Sequence, residues 1–368
     1  MENKIKLGLI GVGVMGSRVC RQIVSGKTPE MELVAVAAHS KSTQEWVKEN
    51  LPASVQVFST GEELIDSGCC DAVMILTPHY THPKLAIAAL EKGMHVLCEK
   101  PVGVYTKEIH EIHKAAEESG KVFAMVFGRR LNPINIKIKE VLDSGILGPV
   151  RRINWIASNW YRTMGYYNSN TWRGTWKGEG GGVLLNQCPH DLDLVQWFLG
   201  MPNKIRAFCH NGKWHDLEVE DDVSAYMEFP GGATGVFVAS TGDLPGTDRL
   251  EITGQYGKLI RDGKTLTLYR CTKEQYEEIV ELLDSDFVPE FQPEVLATEG
   301  ESGLHADVLN AFAGNILRGE PLVAEGIEGI KSLTISNAMY LSSWLDETVT
   351  IPFDEDLFLQ ELNRRRKL

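Results

Sequence analysis

The chain has 368 residues with 43% hydrophobic and 24% charged content, ordinary for a globular protein and long enough for two domains of roughly 100–200 residues. A formal net charge of −13 argues against a nucleic-acid partner, which would need clustered Lys and Arg, and no apolar run approaches the roughly 20 residues that span a bilayer. The opening residues MENKIKLGLIG lack a signal-peptide pattern, and the seven cysteines, with Cys69-Cys70 adjacent, form no metal or disulfide spacing; a cytoplasmic protein without membrane attachment or metal is expected.

Between residues 4 and 128, short apolar runs alternate with helical patterns. Strands are expected at Ile5–Ile10, Glu32–Ala37, Ala72–Leu76, His95–Leu97 and Val122–Val126. Helices are expected at Gly16–Val24, Thr43–Asn50, Thr81–Lys92 and Lys107–Ser119. The alternation predicts an α/β fold whose N-terminal Rossmann domain covers 1–128.

From Arg129 onward, strands are separated by turn signals: Arg151–Ala157, Ile205–Cys209, Val223–Phe229, Thr234–Ser240, Arg249–Gly254 and Lys264–Arg270, with a hairpin turn at Pro230-Gly231-Gly232. Helical patterns at Ile134–Ser144, Leu184–Leu199, His305–Arg318 and Glu325–Asp346 are expected to cover one face of this sheet. Residues 129–368 therefore read as a C-terminal α+β domain with an open, mainly antiparallel sheet, serving substrate binding and oligomerisation. Acidic Glu274–Glu301 reads as a helix followed by an exposed loop. The basic run Arg364-Arg365-Arg366-Lys367 reads as a short solvated tail.

Gly11-Val12-Gly13-Val14-Met15-Gly16 follows the first strand and opens a helix. That is the setting of a dinucleotide fingerprint, in which glycines let the backbone approach a pyrophosphate at a helix N-terminus. The acid that would bind the adenosine ribose is missing after the second strand, where Ala38, His39, Ser40 and Lys41 stand. Without a carboxylate, His39, Ser40 and Lys41 can accept a 2′-phosphate, a lean toward NADP within NAD(P); alternatively they only form the loop.

Cys98-Glu99-Lys100-Pro101, together with Thr77-Pro78-His79-Tyr80-Thr81-His82, Gly180-Gly181-Gly182 through His190-Asp191-Leu192-Asp193, and Asn337 to Trp344, resembles the Gfo/Idh/MocA oxidoreductase family. The likeness covers nearly the whole chain. It implies a site in the cleft between the domains, with Lys100 touching substrate and nicotinamide ribose and His190 as general acid/base. It also implies activity on sugars, inositols or glycosides. Beside the cofactor it puts Thr77, Pro78, His79, His82, Glu99 and Lys100, with Trp172 and Arg173 toward the nicotinamide end in contact with cofactor or substrate; Arg129 is a further cofactor-binding candidate.

Such chemistry moves a hydride to the cofactor and a proton to the protein, and a histidine with intrinsic pKa near ~6.5 suits the second task. A continuous helix would align Asn186, His190 and Asp193, although Pro189 interrupts that pattern. Asn186 stands where many relatives carry aspartate; it can orient His190 or bond substrate but cannot take the proton. The catalytic set is thus Lys100, His190 and Asn186.

The aromatic segment Asn159–Tyr167 and Trp172–Trp176 supplies stacking faces and hydroxyl-binding groups, so Tyr161, Arg162 and Trp172 join Lys100, Asn186 and His190 as substrate candidates. The same composition also fits a subunit interface. Arg129-Arg130 either meets an anionic or hydroxylated substrate or is a solvated pair at the domain junction. His305 and Tyr340 read better as core or surface than as cleft residues. A homo-oligomeric dehydrogenase acting on a small carbohydrate or polyol is the leading reading. The alternatives are an NAD-dependent glycoside-cleaving enzyme using transient oxidation and a non-catalytic cofactor sensor.

Overall fold

In the computed structural model, which describes residues 4–283, 286–300 and 305–367, the N-terminal apolar runs become six parallel strands. These are β1 (Ile5–Ile10), β2 (Met31–Ala37), β3 (Gln56–Phe58), β4 (Ala72–Ile75), β5 (His95–Cys98) and β6 (Phe123–Met125). Helices α1 (Val14–Val24), α2 (Lys41–Asn50), α3 (Gly61–Asp66), α4 (His82–Glu91) and α5 (Ile109–Ser119) alternate with them. The sheet order β3-β2-β1-β4-β5-β6 reverses between β1 and β4. That reversal opens a crevice beyond the carboxyl ends of the strands, where open α/β sheets take ligands. The edge strand β3 is too short and too exposed to leave a readable period.

After a turn at Gly128–Leu131, the chain forms α6 (Pro133–Asp143), β7 (Val150–Ala157), α7 (Met164–Tyr167), α8 (Val183–Asn186) and α9 (Pro189–Leu199). Strands β8 (Lys204–Asn211), β9 (Glu220–Glu228), β10 (Thr234–Ser240), β11 (Asp248–Gly254), β12 (Gly257–Asp262) and β13 (Thr265–Arg270) follow. The chain then continues through α10 (Lys273–Val280), β14 (Glu294–Leu296), α11 (His305–Arg318), α12 (Gly329–Leu345), β15 (Val349–Thr350) and α13 (Glu355–Arg366). The second sheet has nine strands in the order β14-β13-β12-β11-β7-β10-β9-β8-β15. Its neighbours are antiparallel except β7 and β10, which run parallel. One face buries Trp155, Ala207, Ala225 and Phe237 in the core shared with α9 and α12. The other face is open.

Three expectations change. Leu184–Leu199 is two helices, because Pro189 begins α9 at its first position, where its missing N–H costs nothing. Helix α11 does not cover the second sheet: Val308, Leu309, Phe312 and Ala313 share a core with Leu7 and Leu9 of the first sheet, Val126 just after β6 and Val19 of α1. An apolar stripe fixes that a helix is covered on one side but not by which sheet. The C-terminal basic run is no solvated tail, since Arg365 lies 4.0 Å over the Trp344 ring, Arg366 lies 4.5 Å over Tyr80, and Glu361 pairs with Arg364 and Arg365.

Within Glu274–Glu301, the helical expectation meets α10, while β14 adds a short edge strand to β13; residues 284, 285 and 301 lie outside the described residues. Among the described residues no helix is long and apolar enough to cross a membrane.

Candidate active site

The turn after β1 is built from close backbone contacts. Gly11 has φ +105°, and a Cβ there would lie 2.7 Å from the Leu76 carbonyl oxygen. A Cβ on Gly16 would lie 2.1 Å from the Gly11 carbonyl oxygen, so α1 can approach its own turn only with glycine there. Val12 is buried, Val14 and Met15 are exposed, and Gly13 is open. No side chain caps α1, which leaves its first N–H groups free for an anion. These residues fit a dinucleotide pyrophosphate.

At the end of β2, Ala38 is buried while His39, Ser40 and Lys41 are exposed. Ser40 Oγ caps α2, accepting from the Thr43 N–H at 3.2 Å and contacting the Ser42 and Thr43 hydroxyls at 3.0 and 2.9 Å. Among the described residues, the Lys41 and His39 side chains have no hydrogen-bond or ion-pair partner.

Beyond β4, Thr77 and the exposed Pro78 lead into two buried histidines that brace the loop. His82 places Nδ1 2.7 Å from the Pro101 carbonyl and Nε2 2.7 Å from the Thr77 carbonyl, so neither ring nitrogen is presented to a ligand. His79 Nδ1 lies 2.9 Å from the Glu179 carbonyl, and its ring packs edge-on to Trp172. Burial holds both imidazoles below the usual range.

Strand β5 delivers Glu99 and Lys100 to the cleft. Lys100 Nζ donates to the Asn186 carbonyl at 2.7 Å, which joins the two halves of the site. Burial lowers the Lys100 ammonium, Arg129 adds to this, and Glu99 and Glu179 oppose it. Glu99 accepts the Lys100 N–H at 2.9 Å and meets His305 Nε2 at 2.5 Å. Burial raises the Glu99 carboxyl, but His305 and Lys100 outweigh it and leave the group below its usual range. His305 therefore belongs to the cleft, although its partner is remote in sequence.

His190 occupies the first turn of α9. Its Nδ1 is buried without a hydrogen-bond partner among the described residues, and Phe127 packs edge-on at 6.1 Å. Burial first, then the charges of Lys100, Arg129 and His305, hold the imidazole well below its ordinary value, so it is neutral at pH 7. Asn186 ends α8, donates through Nδ2 to Glu179 Oε1, and accepts from the Tyr166 hydroxyl at 3.5 Å. Glu179 Oε2 accepts the Gly174 N–H at 2.7 Å, and burial raises its carboxyl. The Tyr166 hydroxyl accepts from Arg173 and, at 3.3 Å, from Gln187.

Glu179 and Tyr166 were not among the sequence candidates. For Glu179 the available signal was an acid directly before Gly180–Gly182. The carboxylate that Asn186 lacks stands behind it, on Glu179.

The two arginines of the junction are neither solvated nor equivalent. Arg129 pairs with Asp191 and lies 4.7 Å over Trp160. Arg130 is buried, donating to Asp193 at 2.8 and 2.6 Å and to Glu328 at 3.1 and 2.8 Å. Asp193 thus turns to Arg130, away from any stripe with Asn186 and His190. Tyr161 is exposed at the rim, 6.5 Å from the His215 ring, whereas Arg162 is half-buried between Trp160 and Tyr166. Trp172 and Arg173 stack on each other at 4.4 Å. Tyr340 is buried and donates to Glu220 at 2.7 Å, a core position.

Glu220 positions α8. It is fully buried and accepts the Gly182 and Leu184 N–H groups at 2.9 Å each. Burial pushes its carboxyl from the ordinary 4.5 up to about 7. Because the folded state holds this proton more tightly than the unfolded chain, its contribution is fully present below pH 4.5 and is lost as pH rises toward about 7. The loss is on the order of 3 kcal/mol. Urea unfolding between those pH values is expected to show a falling stability, and Glu220→Gln is expected to flatten that slope. An equally steep slope in the variant would assign the effect elsewhere.

Comparison with known proteins follows the same division. Residues 5–127 match the family model described as an oxidoreductase family with an NAD-binding Rossmann fold, and residues 136–260 match the GFO/IDH/MocA C-terminal domain. The chain is 29% identical to trans-1,2-dihydrobenzene-1,2-diol dehydrogenase of Mus musculus over 248 residues, 66% of this chain and 71% of that protein. It is 27% identical to scyllo-inositol 2-dehydrogenase (NAD(+)) of Bacillus subtilis over 302 residues, 79% of this chain and 82% of the relative. The crystal structure of the WlbA dehydrogenase from Bordetella pertussis, in complex with NADH and UDP-GlcNAcA, superposes with a TM-score of 0.78 at 24% identity, covering 95% of this chain and 100% of that one.

Proposed function

This chain belongs to the GFO/IDH/MocA oxidoreductases, and from that premise we propose that it interconverts a hydroxyl and a carbonyl on a sugar, glycoside or cyclic polyol, with His190 handling the proton. It is an NAD(P)-binding oxidoreductase of the sugar and inositol dehydrogenase type. One observation carries the finer reading: Lys100 from the first sheet donates to Asn186 at the turn that begins α9, and its charge acts on the neutral His190.

When bound, the nicotinamide supplies a hydride acceptor in oxidation and a hydride donor in reduction. In oxidation the C–H bond gives up its electron pair with the hydrogen, the O–H proton passes to the neutral His190, and the carbon becomes a carbonyl. Lys100 holds the reacting oxygen and stabilises alkoxide character on it. Asn186 steadies that oxygen's surroundings through Glu179 and Tyr166 but takes no proton. Titrating the purified protein with NADH and NADPH by fluorescence, then screening sugars, inositols and glycosides for nicotinamide absorbance change, tests the reading. Absence of nucleotide binding would overturn it.

The preferred nucleotide is NADP. Exposed Lys41 and His39 stand where an acid would repel a 2′-phosphate, at the N-terminus of α2. NADPH should bind more tightly than NADH, and Lys41→Ala should cut that preference about 3- to 10-fold. An unchanged ratio would remove Lys41 from the role.

The reading includes a homo-oligomer built on the open face of the second sheet. Ile156, Phe208, Tyr226 and Val236 are 41, 50, 42 and 41% exposed. The register sets them in two adjacent rows, Val236 opposite Tyr226, and Val238 opposite Ile156. Such an apolar surface is what a two-fold partner would cover. Val236→Asp should lower the mass seen by light scattering, and an unchanged mass would exclude this face.

A further inference from the structure

The cleft contains a ladder in which guanidinium groups alternate with aromatic rings. Arg129 lies 4.7 Å over Trp160, and Arg162 lies 5.6 Å from the same ring. Arg162 also lies 4.9 Å from Tyr166, Arg173 lies 4.3 Å from Tyr166, and Arg173 lies 4.4 Å from Trp172. The rings hold each guanidinium plane in place and leave only its edges for hydrogen bonds.

The three arginines differ in how their charge is met. Arg129 pairs with Asp191, and Arg173 has Glu179 at 3.8 Å. Arg162 has no carboxylate within 4 Å among the described residues; its Nη1 donates to the Tyr161 carbonyl at 3.1 Å, and its buried Nε has no partner. Asp221 reaches it only through His215, whose ring contacts the Arg162 carbonyl, and is itself occupied by three backbone N–H groups. A half-buried guanidinium without an anion bears a desolvation cost that an incoming carboxylate would offset.

Among the described residues of this cleft, Glu99 is met by His305 and the Lys100 N–H, Glu179 by Arg173 and Asn186, and Asp191 by Arg129, so Arg162 is the guanidinium left without a carboxylate. This unmet charge stands in a chain whose net charge is −13. The local positive spot would also steer an anion into an otherwise repelling surface.

We infer that the substrate is a sugar or cyclic polyol bearing a carboxylate, held by the free edge of the Arg162 guanidinium. The inference rests on the dehydrogenase reading of the same cleft. Arg162 is one tyrosine ring from the chemistry, since Tyr166 bonds Asn186 and Asn186 bonds Lys100. The carboxylate would therefore sit at the end of the ring remote from the reacting carbon. A planar carboxylate matches the fork of a fixed guanidinium edge.

The test compares D-glucuronate and D-galacturonate with D-glucose, D-galactose and D-glucose 6-phosphate, by affinity for the enzyme–NADPH complex and by turnover. At least one uronate is expected to exceed its neutral counterpart about 10- to 100-fold. Arg162→Gln should bring that ratio near one, and Arg162→Lys, which keeps the charge but loses the fork, should fall between. Retained NADPH affinity in both variants shows that the fold is intact. Equal handling of uronates and neutral sugars, a preference for the phosphate, or an unchanged ratio in Arg162→Gln would overturn the inference while leaving the oxidoreductase reading standing. Failure of the wild type to bind either nucleotide would overturn both.

Discussion

Replacing His190 by alanine is expected to lower kcat about 10²- to 10⁴-fold while leaving NADPH affinity unchanged. The glycine turn and the N-terminus of α1 that would hold the nucleotide are remote from α9 in the chain and do not depend on its first turn. The imidazole is neutral because burial and the neighbouring cations Lys100, Arg129 and His305 disfavour its protonation. A base held below its ordinary pKa stays unprotonated as pH falls. The acid limb of kcat/KM for oxidation should therefore lie below the ~6.5 of free imidazole. The variant should lose that limb along with the rate. Near-wild-type turnover in His190→Ala would transfer the proton to another group, with the His305–Glu99 pair the next to examine.

The second large effect is on stability. Arg130→Met is expected to cost about 3–5 kcal/mol, because it strands Asp193 and Glu328 without their cation. Arg130 is 5% exposed and binds both carboxylates through paired hydrogen bonds, with a further one to the Val323 carbonyl at 3.3 Å. It also lies 5.6 Å over Phe127 and 5.6 Å over Trp197. One side chain thus ties the turn after β6, helix α9 and the segment before α12. Adding Asp193→Asn should recover part of the loss, since the more deeply buried of the two stranded groups is then neutral while Glu328 stays charged. Denaturant midpoints for the single and double variants measure this. Additive losses would show that Arg130 acts through packing alone. Because His190 lies three residues before Asp193 on α9, surviving Arg130→Met protein should also show reduced kcat.

Features that depend on a few adjacent residues were legible in the sequence. Gly11 and Gly16 are demanded by local backbone crowding, and the strands of the first sheet read as apolar runs between breakers. Pro189 marked a disturbance in the expected helix Leu184–Leu199, but the full break into α8 and α9 appears only in the structure. Features that depend on pairs distant in the chain were not legible. Glu99 meets His305 and Arg130 meets Glu328 only after both sheets are folded, separated by 206 and 198 positions. No period or spacing records such partnerships. The arginine pair illustrates the limit: the two neighbours read alike, yet Arg129 lines the cleft and Arg130 is buried structure.

The placement of α11 has a consequence for how the molecule is made. All six strands of the first sheet lie within residues 5–125, but the helix that helps cover one of their faces is 305–318. During synthesis every strand of that sheet has left the ribosome long before Leu309 and Phe312 arrive to shield Leu7, Leu9 and Val126. The nascent N-terminal part therefore waits with an oily flank uncovered, a natural point for a chaperone to engage. A fragment ending near residue 128 would carry the same flank permanently, and dividing the gene there would separate a sheet from its own lid.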